Sequence, residues 1–334
     1  MKTCAEIGVN HNGDYEIAKN MVILSKNMGF DACKFQNFIP EKLCDPTSPK
    51  ASYHVETTGP SEKQSWLELL KSETLKESEY AKLFKLCSDI GIEFISTPYC
   101  TDTLEFLLGL GVETVKISSC DVTNIPLLKK AADSGKNVVL STGMANWDEI
   151  DFAYSIFKDK KKLTILECIS NYPLNLEEAS LGNIKNFQSR YDCNIGYSDH
   201  TLSTCSAAIC FVLGCTFYEK HITFSQLLPG PDHRVSLDPR NIEEMMKLLR
   251  EAKLMFGKSV ITKPRLCEME NRQLLRKGAY LIRDFEVNEE LSEKDIWIRR
   301  PETKIPLKIS FDLLGKFAKK KLKANTPINP SDFE

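Results

Sequence analysis

His200 and His221 each close a short run with strand character, Asn194–Tyr197 and Thr216–Lys220, and both runs turn polar as they end: Ser198-Asp199-His200-Thr201 and Glu219-Lys220-His221. Side chains alternate across a strand, so Gly196, Ser198 and His200 share one face, and Glu219 shares a face with His221. If both faces point inward, two imidazoles converge. Two neutral imidazoles with open positions suit a divalent ion such as Mn²⁺, Fe²⁺, Co²⁺ or Zn²⁺, available for Lewis-acid work. The chain has five histidines, and two at consecutive strand ends favour a ligand pair over two unrelated hydrogen-bonding residues. Lys34 and Lys116 end two earlier runs, Ala32–Phe35 and Thr114–Ile117. An unpaired ammonium is costly to bury. Lysines aimed at a shared mouth therefore clamp a carboxylate or phosphate, or one of them forms a Schiff base as in class I aldolases; snorkelling at the rim is the ordinary alternative. Hydroxyls at Thr97, Ser119, Ser141, Thr142, Ser170 and Ser198 recur at run ends, where they cradle an anion or simply cap a turn. Glu6 sits inside the first run, Thr3–Val9, where nothing in the sequence calls for an acid. It is a candidate for proton transfer or for holding substrate hydroxyls. Pro229-Gly230-Pro231-Asp232-His233 reads either as a stiff loop that fixes Asp232 or as an ordinary turn.

Positioning these groups needs a scaffold that brings many strand ends together. Eight strand signals, the five above plus Glu93–Ser96, Asn137–Ser141 and Leu163–Cys168, alternate with amphipathic windows such as Tyr15–Asn27, Glu79–Ile90, Ile125–Ser134, Trp147–Phe157 and Ile242–Met255. Such alternation indicates a parallel sheet, and eight units match a closed (β/α)₈ TIM barrel, an α/β fold whose catalytic groups lie at the carboxyl ends of the strands. An open doubly wound sheet is the competing arrangement. The predicted division is a barrel over 1–262, a linker over 263–276 beginning at Lys263-Pro264-Arg265, and a small β-rich module over 277–334 with strands at Ala279–Ile282 and Ile296–Arg299. The connection Asn37 to Leu75 carries four prolines and is long enough for a functional lid or a loose insertion.

Composition narrows the class. Of 334 residues, 42% are hydrophobic and 27% charged, with a net charge of −2. That supports a large core and gives no general affinity for nucleic acid or anionic membrane. Lys319-Lys320-Lys321 reads as a solvated face rather than a polyanion site. Twelve scattered cysteines form no CxxC pair and are expected as free, mostly buried thiols. The opening residues read as a strand rather than a leader, and the most apolar window, Cys205 to Tyr218, is too short and interrupted to span a bilayer. The expectation is a cytoplasmic protein.

Taken together, the motifs resemble the sialic acid synthase (nonulosonate synthase) family. The matching pieces are Ala5-Glu6-Ile7-Gly8-Val9-Asn10-His11-Asn12-Gly13, Lys34-Phe35-Gln36, Ser96-Thr97-Pro98, Ser141-Thr142-Gly143-Met144, Asn171-Tyr172-Pro173, Gly196-Tyr197-Ser198-Asp199-His200-Thr201, Glu219-Lys220-His221-Ile222-Thr223 and the Pro229–His233 loop, in family order. The tail, through Ile296-Trp297-Ile298-Arg299-Arg300-Pro301 and Leu314-Gly315-Lys316, is similar to the family's antifreeze-like (SAF) domain. The resemblance implies condensation of phosphoenolpyruvate with an N-acetylated mannose-type sugar aldehyde and release of phosphate. It further implies that His200 and His221 bind Mn²⁺ or Mg²⁺, with Co²⁺ as a substitute. Lys34, Thr97 and Lys116 would hold the phosphoenolpyruvate carboxylate, and Ser119 and Ser198 its phosphate. Glu6, Gln36, Tyr172 and Asp232 would line the sugar side, with Glu219 beside them. Arg300 would arrive from the partner of a swapped homodimer.

The chain departs from the pattern at Ser170, where some members carry Asn at a phosphate contact, and at Cys120-Asp121, where many carry Gly-Glu. The intact Pro-Gly-Pro-Asp-His loop looks like the neuraminate and legionaminate synthases rather than the pseudaminate type. The expected sugar is 2,4-diacetamido-2,4,6-trideoxymannose, giving N,N'-diacetyllegionaminate, with N-acetylmannosamine as the alternative. Rival readings are a class I Schiff-base lyase and a non-catalytic sugar-binding protein.

Overall fold

The computed structural model describes residues 1–257 and 262–334, which form two compact units, Met1–Gly257 and Lys258–Glu334. In the first unit eight parallel strands close into one barrel in sequence order. The chain runs β1 (Lys2–Gly8), α1 (Tyr15–Asn27), β2 (Ala32–Asn37), α2 (Pro40–Leu43), α3 (Ser52–Thr58), α4 (Trp66–Glu73), α5 (Glu77–Ile90) and β3 (Glu93–Pro98). It continues with α6 (Thr101–Leu110), β4 (Thr114–Ile117), α7 (Ile125–Asp133), β5 (Asn137–Ser141), α8 (Trp147–Ile156), β6 (Leu163–Cys168), α9 (Ile184–Arg190), β7 (Asn194–Asp199), α10 (Ser206–Val212), β8 (Phe217–His221) and α11 (Pro239–Phe256).

The period of two along a strand builds the interior in layers. Cys4, Ala32, Ile95, Val139, Leu166 and Phe217 form a closed apolar layer inside the barrel. Two residues further along the same strands stand Glu6, Lys34, Thr97, Ser141, Cys168 and Glu219. On β7 the corresponding floor position is Gly196, where a Cβ would strike the Leu166 side chain at 2.6 Å as well as the Phe217 carbonyl; the interior is full without it. Residues of the other parity, among them Ile7, Phe35, Ile117, Leu140, Tyr197 and Tyr218, pack outward against the helices. The same parity sends Asp199 and Lys220 away from the interior. They are fully buried, with Lys220 Nζ 2.8 Å from Asp199 Oδ2, and that oxygen also accepts from Tyr218 and Ser206. Half of each polar strand-end motif is thus framework.

Several strands outrun the predicted ends. Gln36 pairs with Thr97 and Asn37 with Pro98, so the β2–β3 ladder continues through residues whose polarity reads as loop. The helix predicted to start at Ile242 begins at Pro239, because Asp238 caps it by accepting from the Asn241 amide at 3.0 Å. The Asn37–Leu75 connection is folded: α2, α3 and α4 occupy it, with a capping box at Ser65 and Glu68. Phe38, Cys44 and Leu70 bury there with Val9, and Trp66 and Tyr99 pack on them. All twelve cysteines are free thiols. Among the described residues no helix is long and apolar enough to cross a membrane.

The second unit opens with α12 (Met269–Leu275), inside the stretch predicted as linker; the predicted boundary at 262 adjoins residues 258–261, which lie outside the described residues. An antiparallel pair follows, β9 (Gly278–Leu281) with β10 (Ile296–Arg299), then α13 (Leu307–Phe311). Its own core includes Ala279, Leu281, Phe285, Leu291, Leu313, Ile328 and Phe333. Lys320 and Lys321 pair with Asp332 and Glu286 at the surface.

Candidate active site

Register gathers the charged residues. Glu6 pairs across the ladder with Lys34 on one side and His221 on the other, and Ser198 with Glu219. The result is a cavity of about 600 Å³ above the apolar layer. It is lined by thirteen residues singled out from the sequence: Glu6, Lys34, Gln36, Thr97, Lys116, Ser119, Ser170, Tyr172, Ser198, His200, Glu219, His221 and Asp232. Arg300 stands in the other unit, exposed, with its Nε donating to the Leu275 carbonyl at 2.9 Å. A wider hollow of about 880 Å³ lies against Trp147, Glu167, Asn183 and Phe187. No lysine or histidine faces it, so the convergent charges belong to the smaller cavity.

The lysines are not bare. Lys34 Nζ lies 2.9 Å from Glu6 Oε2 and 3.7 Å from Glu219 Oε1, and Lys116 Nζ is also 3.7 Å from Glu219 Oε1. Lys34 donates to Thr97 Oγ1 at 3.2 Å, Lys116 to Ser141 Oγ at 2.6 Å, and Ser198 to Glu219 at 3.0 Å. Gln36 Nε2 donates to Glu6 Oε1 at 3.0 Å. Two buried ammonium groups thus face two buried carboxylates, which is how such charges are tolerated in a low-dielectric interior. Burial opposes the charge on Lys34, yet Glu219 and Glu6 hold its pKa above the ordinary amine range. Burial lowers that of Lys116, against Glu219. Burial raises Glu6, against Lys34. Glu219 goes down because Lys116 and Lys34 together outweigh its burial.

His200 and His221 have ring centroids 5.6 Å apart. His200 Nδ1 is 2.7 Å from the Ile169 carbonyl. That approach needs a proton on Nδ1, so Nε2 keeps its lone pair. His221 is kept neutral by burial and by His200, and its buried Nδ1 has no hydrogen-bond partner, with Asp232 Oδ2 3.8 Å away. Burial and Glu6 push Asp232 up to about 7. Among the described residues no group of three or more His, Cys, Asp or Glu is placed to share an ion. The donor set is two imidazoles, and an ion held there would keep open positions.

Sequence reasoning missed part of the wall. Tyr53, His54, Trp66 and Glu73 line the cavity from the β2–β3 insertion, and Tyr99 from the end of β3. Tyr172 stacks on His200 at 4.2 Å and on Tyr53 at 5.0 Å. The signal was weak: an aperiodic, proline-rich stretch whose helices are one or two turns long. The Pro229–His233 loop does hold Asp232 at the cavity. Asn12 donates to the Pro229 carbonyl at 2.8 Å and Ser236 to that of Asp232 at 2.5 Å, and Gly230, at φ +141°, lets the chain pass Asn12 and His233.

Two buried acids make a pH prediction. Burial, with Asp232, raises Glu73 to about 8, and burial, with Cys168, raises Glu167 to about 8. Between their unfolded value near 4.5 and 8, the folded chain binds protons that the unfolded chain has released. Stability therefore falls as pH rises through that window, by roughly 1 kcal/mol per unit for each group. Denaturant titrations at pH 5.5 and 7.5 are expected to give the lower stability at 7.5, with Glu167→Gln flattening the slope. A profile that rises with pH contradicts this.

The NeuB family profile matches residues 21–261 and the SAF domain profile residues 276–334. The N,N'-diacetyllegionaminic acid synthase of Legionella pneumophila is 35% identical over 97% of this chain and 92% of its own length. That of Campylobacter jejuni is 32% identical over 97% of both. A crystal structure of N-acetylneuraminic acid (sialic acid) synthetase from Leptospira borgpetersenii in complex with citrate superposes with a TM-score of 0.71, at 32% identity, over 80% of this chain and 89% of that one. The motifs, the closed barrel and these matches together place the chain in the NeuB family, with a C-terminal SAF domain.

Proposed function

We propose that this protein joins phosphoenolpyruvate to an N-acetylated mannose-type aldehyde, giving a nine-carbon 2-keto acid and inorganic phosphate. The observation that carries the reading is the cavity itself, where two lysine–carboxylate pairs stand beside two converging imidazoles at the carboxyl ends of the strands. The favoured sugar is 2,4-diacetamido-2,4,6-trideoxymannose, in line with the two legionaminate synthases above. The 32% identical neuraminate synthetase structure supports N-acetylmannosamine as the second reading.

The residues divide the work by charge. Lys34 and Lys116 take up the carboxylate and phosphate charges of phosphoenolpyruvate in a site shielded from bulk water. Ser119 and Ser198 offer hydroxyls to the phosphate, as do Thr97 and Ser141 to the lysines. Tyr172, Gln36, Glu6 and Asp232 hold the sugar chain. Asp232, near its midpoint at neutral pH, is suited to exchange a proton at Oδ2 with the oxygen that was the aldehyde. The alkene carbon attacks the aldehyde carbon, water adds to the phosphate-bearing carbon, and that carbon then releases phosphate. The paired imidazoles, one nitrogen of His221 being buried without a partner, fit Mn²⁺, Mg²⁺ or Co²⁺; when bound, such an ion polarises the aldehyde oxygen. A homodimer that brings Arg300 to a partner's sugar belongs to the same proposal.

The test is phosphate release from phosphoenolpyruvate with Mn²⁺ across a sugar panel, with mass measurement of the product. The expected result is sugar-dependent release and a product heavier than the sugar by the pyruvoyl unit. Borohydride trapping of pyruvate on the chain, without sugar-dependent phosphate release, would sink the reading in favour of a Schiff-base lyase.

A further inference from the structure

Three buried polar atoms on the insertion side of the cavity have no hydrogen-bond partner among the described residues: Nδ1 of His54, Nε1 of Trp66 and Oε1 of Glu73. All three side chains line the cavity and come from α3 and α4. One orphaned group in a folded chain is unremarkable; three converging on one wall call for a ligand that completes them. The wall is well held. Lys50 Nζ ties the end of α3 to Thr58 Oγ1 at 3.0 Å and to the Gly59 carbonyl at 3.3 Å, and Ser65 and Glu68 box the start of α4.

Its chemistry is specific. The Trp66 indole N–H can only donate. His54 is neutral, because burial lowers its pKa to about 4, so its ring carries one donor and one acceptor. The Glu73 carboxyl is 5% exposed and both accepts and, when protonated, donates. Leu43 and Leu70 line the same cavity and supply an apolar surface beside them. An acetamido group matches this set: its N–H donates to Glu73 or His54, its carbonyl accepts from Trp66, and its methyl packs on the leucines. A hydroxyl leaves the apolar surface and part of the polar set unused.

An aromatic run gives the wall its place. From His200 it passes through Tyr172, Tyr53 and His54 to Trp66, with successive centroids 4.2, 5.0, 4.1 and 5.7 Å apart. The wall therefore faces the end of an open-chain sugar remote from an aldehyde held at the histidines. We infer that His54, Trp66 and Glu73 form the subsite for a second acetamido group on the sugar, remote from its reacting carbon. The inference rests on the condensation proposed above.

The experiment uses the full chain with Mn²⁺ and phosphoenolpyruvate, following phosphate release with N-acetylmannosamine and with 2,4-diacetamido-2,4,6-trideoxymannose. Wild type is expected to favour the diacetamido sugar. Trp66→Phe, which removes the N–H and keeps the ring, and Glu73→Leu are expected to lower kcat/KM for that sugar about tenfold, chiefly through KM, as loss of a buried hydrogen bond does. N-acetylmannosamine and the KM for phosphoenolpyruvate should change less than about twofold, which also reports that the variants fold. Glu73→Gln, isosteric and still able to donate and accept, is expected to retain most of the preference. Equal losses on both sugars, an unmoved ratio, or a wild-type preference for N-acetylmannosamine overturns the subsite while the reaction stands. No phosphate release with either sugar from wild type overturns the reaction, and the subsite with it.

Discussion

His221→Ala lowers sugar-dependent phosphate release by about a thousandfold, and chelating the divalent ion from the wild-type chain does the same, on the expectation that charge stabilisation by the ion supplies several kcal/mol of the barrier. Adding Mn²⁺ back restores the chelated wild type and leaves the variant inactive. Stability separates this from misfolding. His221 Nδ1 is buried without a partner, so its removal from the metal-free chain costs little folding energy beyond a small cavity. Titration of Mn²⁺ followed by the rise in melting temperature gives a readout independent of turnover: wild type is stabilised by the ion and the variant is not. Release that survives both chelation and the substitution would remove the ion from the reaction and return the histidines to a hydrogen-bonding role.

Lys34→Met carries the second large effect, and it falls on folding as well as on activity. In the folded chain Glu6 and Glu219 share the charge of Lys34 with almost no exposure. Without it, Lys116 alone faces two buried carboxylates. Removing one partner of a buried pair costs about 3–5 kcal/mol, because the remaining charge is stranded. The expected loss in a urea titration is of that size, with phosphoenolpyruvate turnover falling below detection. Glu6→Gln added to Lys34→Met removes the stranded charge and is expected to recover at least half of the lost stability while leaving turnover absent. If the two losses simply add, Glu6 and Lys34 are not coupled and the charge pairing described above is wrong. Lys34 itself contributes no pH dependence near neutrality. Its folded pKa is raised, so its stabilisation is complete below the unfolded amine value and fades only at far higher pH.

The comparison of sequence and structure turns on parity. Because side chains alternate, the pairing of Ser198 with His200 and of Glu219 with His221 could be read directly, and so could the eight-fold rhythm that closes the barrel. Parity also marks Asp199 and Lys220 as outward, although their polarity looks no different from that of their neighbours. The partners of the lysines were not legible. Glu6 meets Lys34 through a ladder register, and Glu219 reaches Lys34 and Lys116 across the interior of a closed barrel, which no local spacing encodes. The insertion wall was hidden for another reason. Helices as short as α2 and α3 have too few turns to stamp a period of 3.6 on the sequence, so Tyr53, His54, Trp66 and Glu73 read as loop. What did mark that stretch was its length and its prolines, enough to ask about function without naming residues.

The apolar layer of Cys4, Ala32, Ile95, Val139, Leu166 and Phe217 has a consequence for timing. It turns the barrel interior into a well with a blind end one residue layer below the charged groups. Whatever sits on Lys34 and Lys116 is at the bottom, and a sugar reaching from the histidines to Trp66 lies over it. Under the proposed reaction, phosphoenolpyruvate then binds before the sugar, and an early-bound sugar obstructs it as a dead-end complex. Initial-rate kinetics read this order directly: sugar in excess inhibits, and raising phosphoenolpyruvate relieves the inhibition.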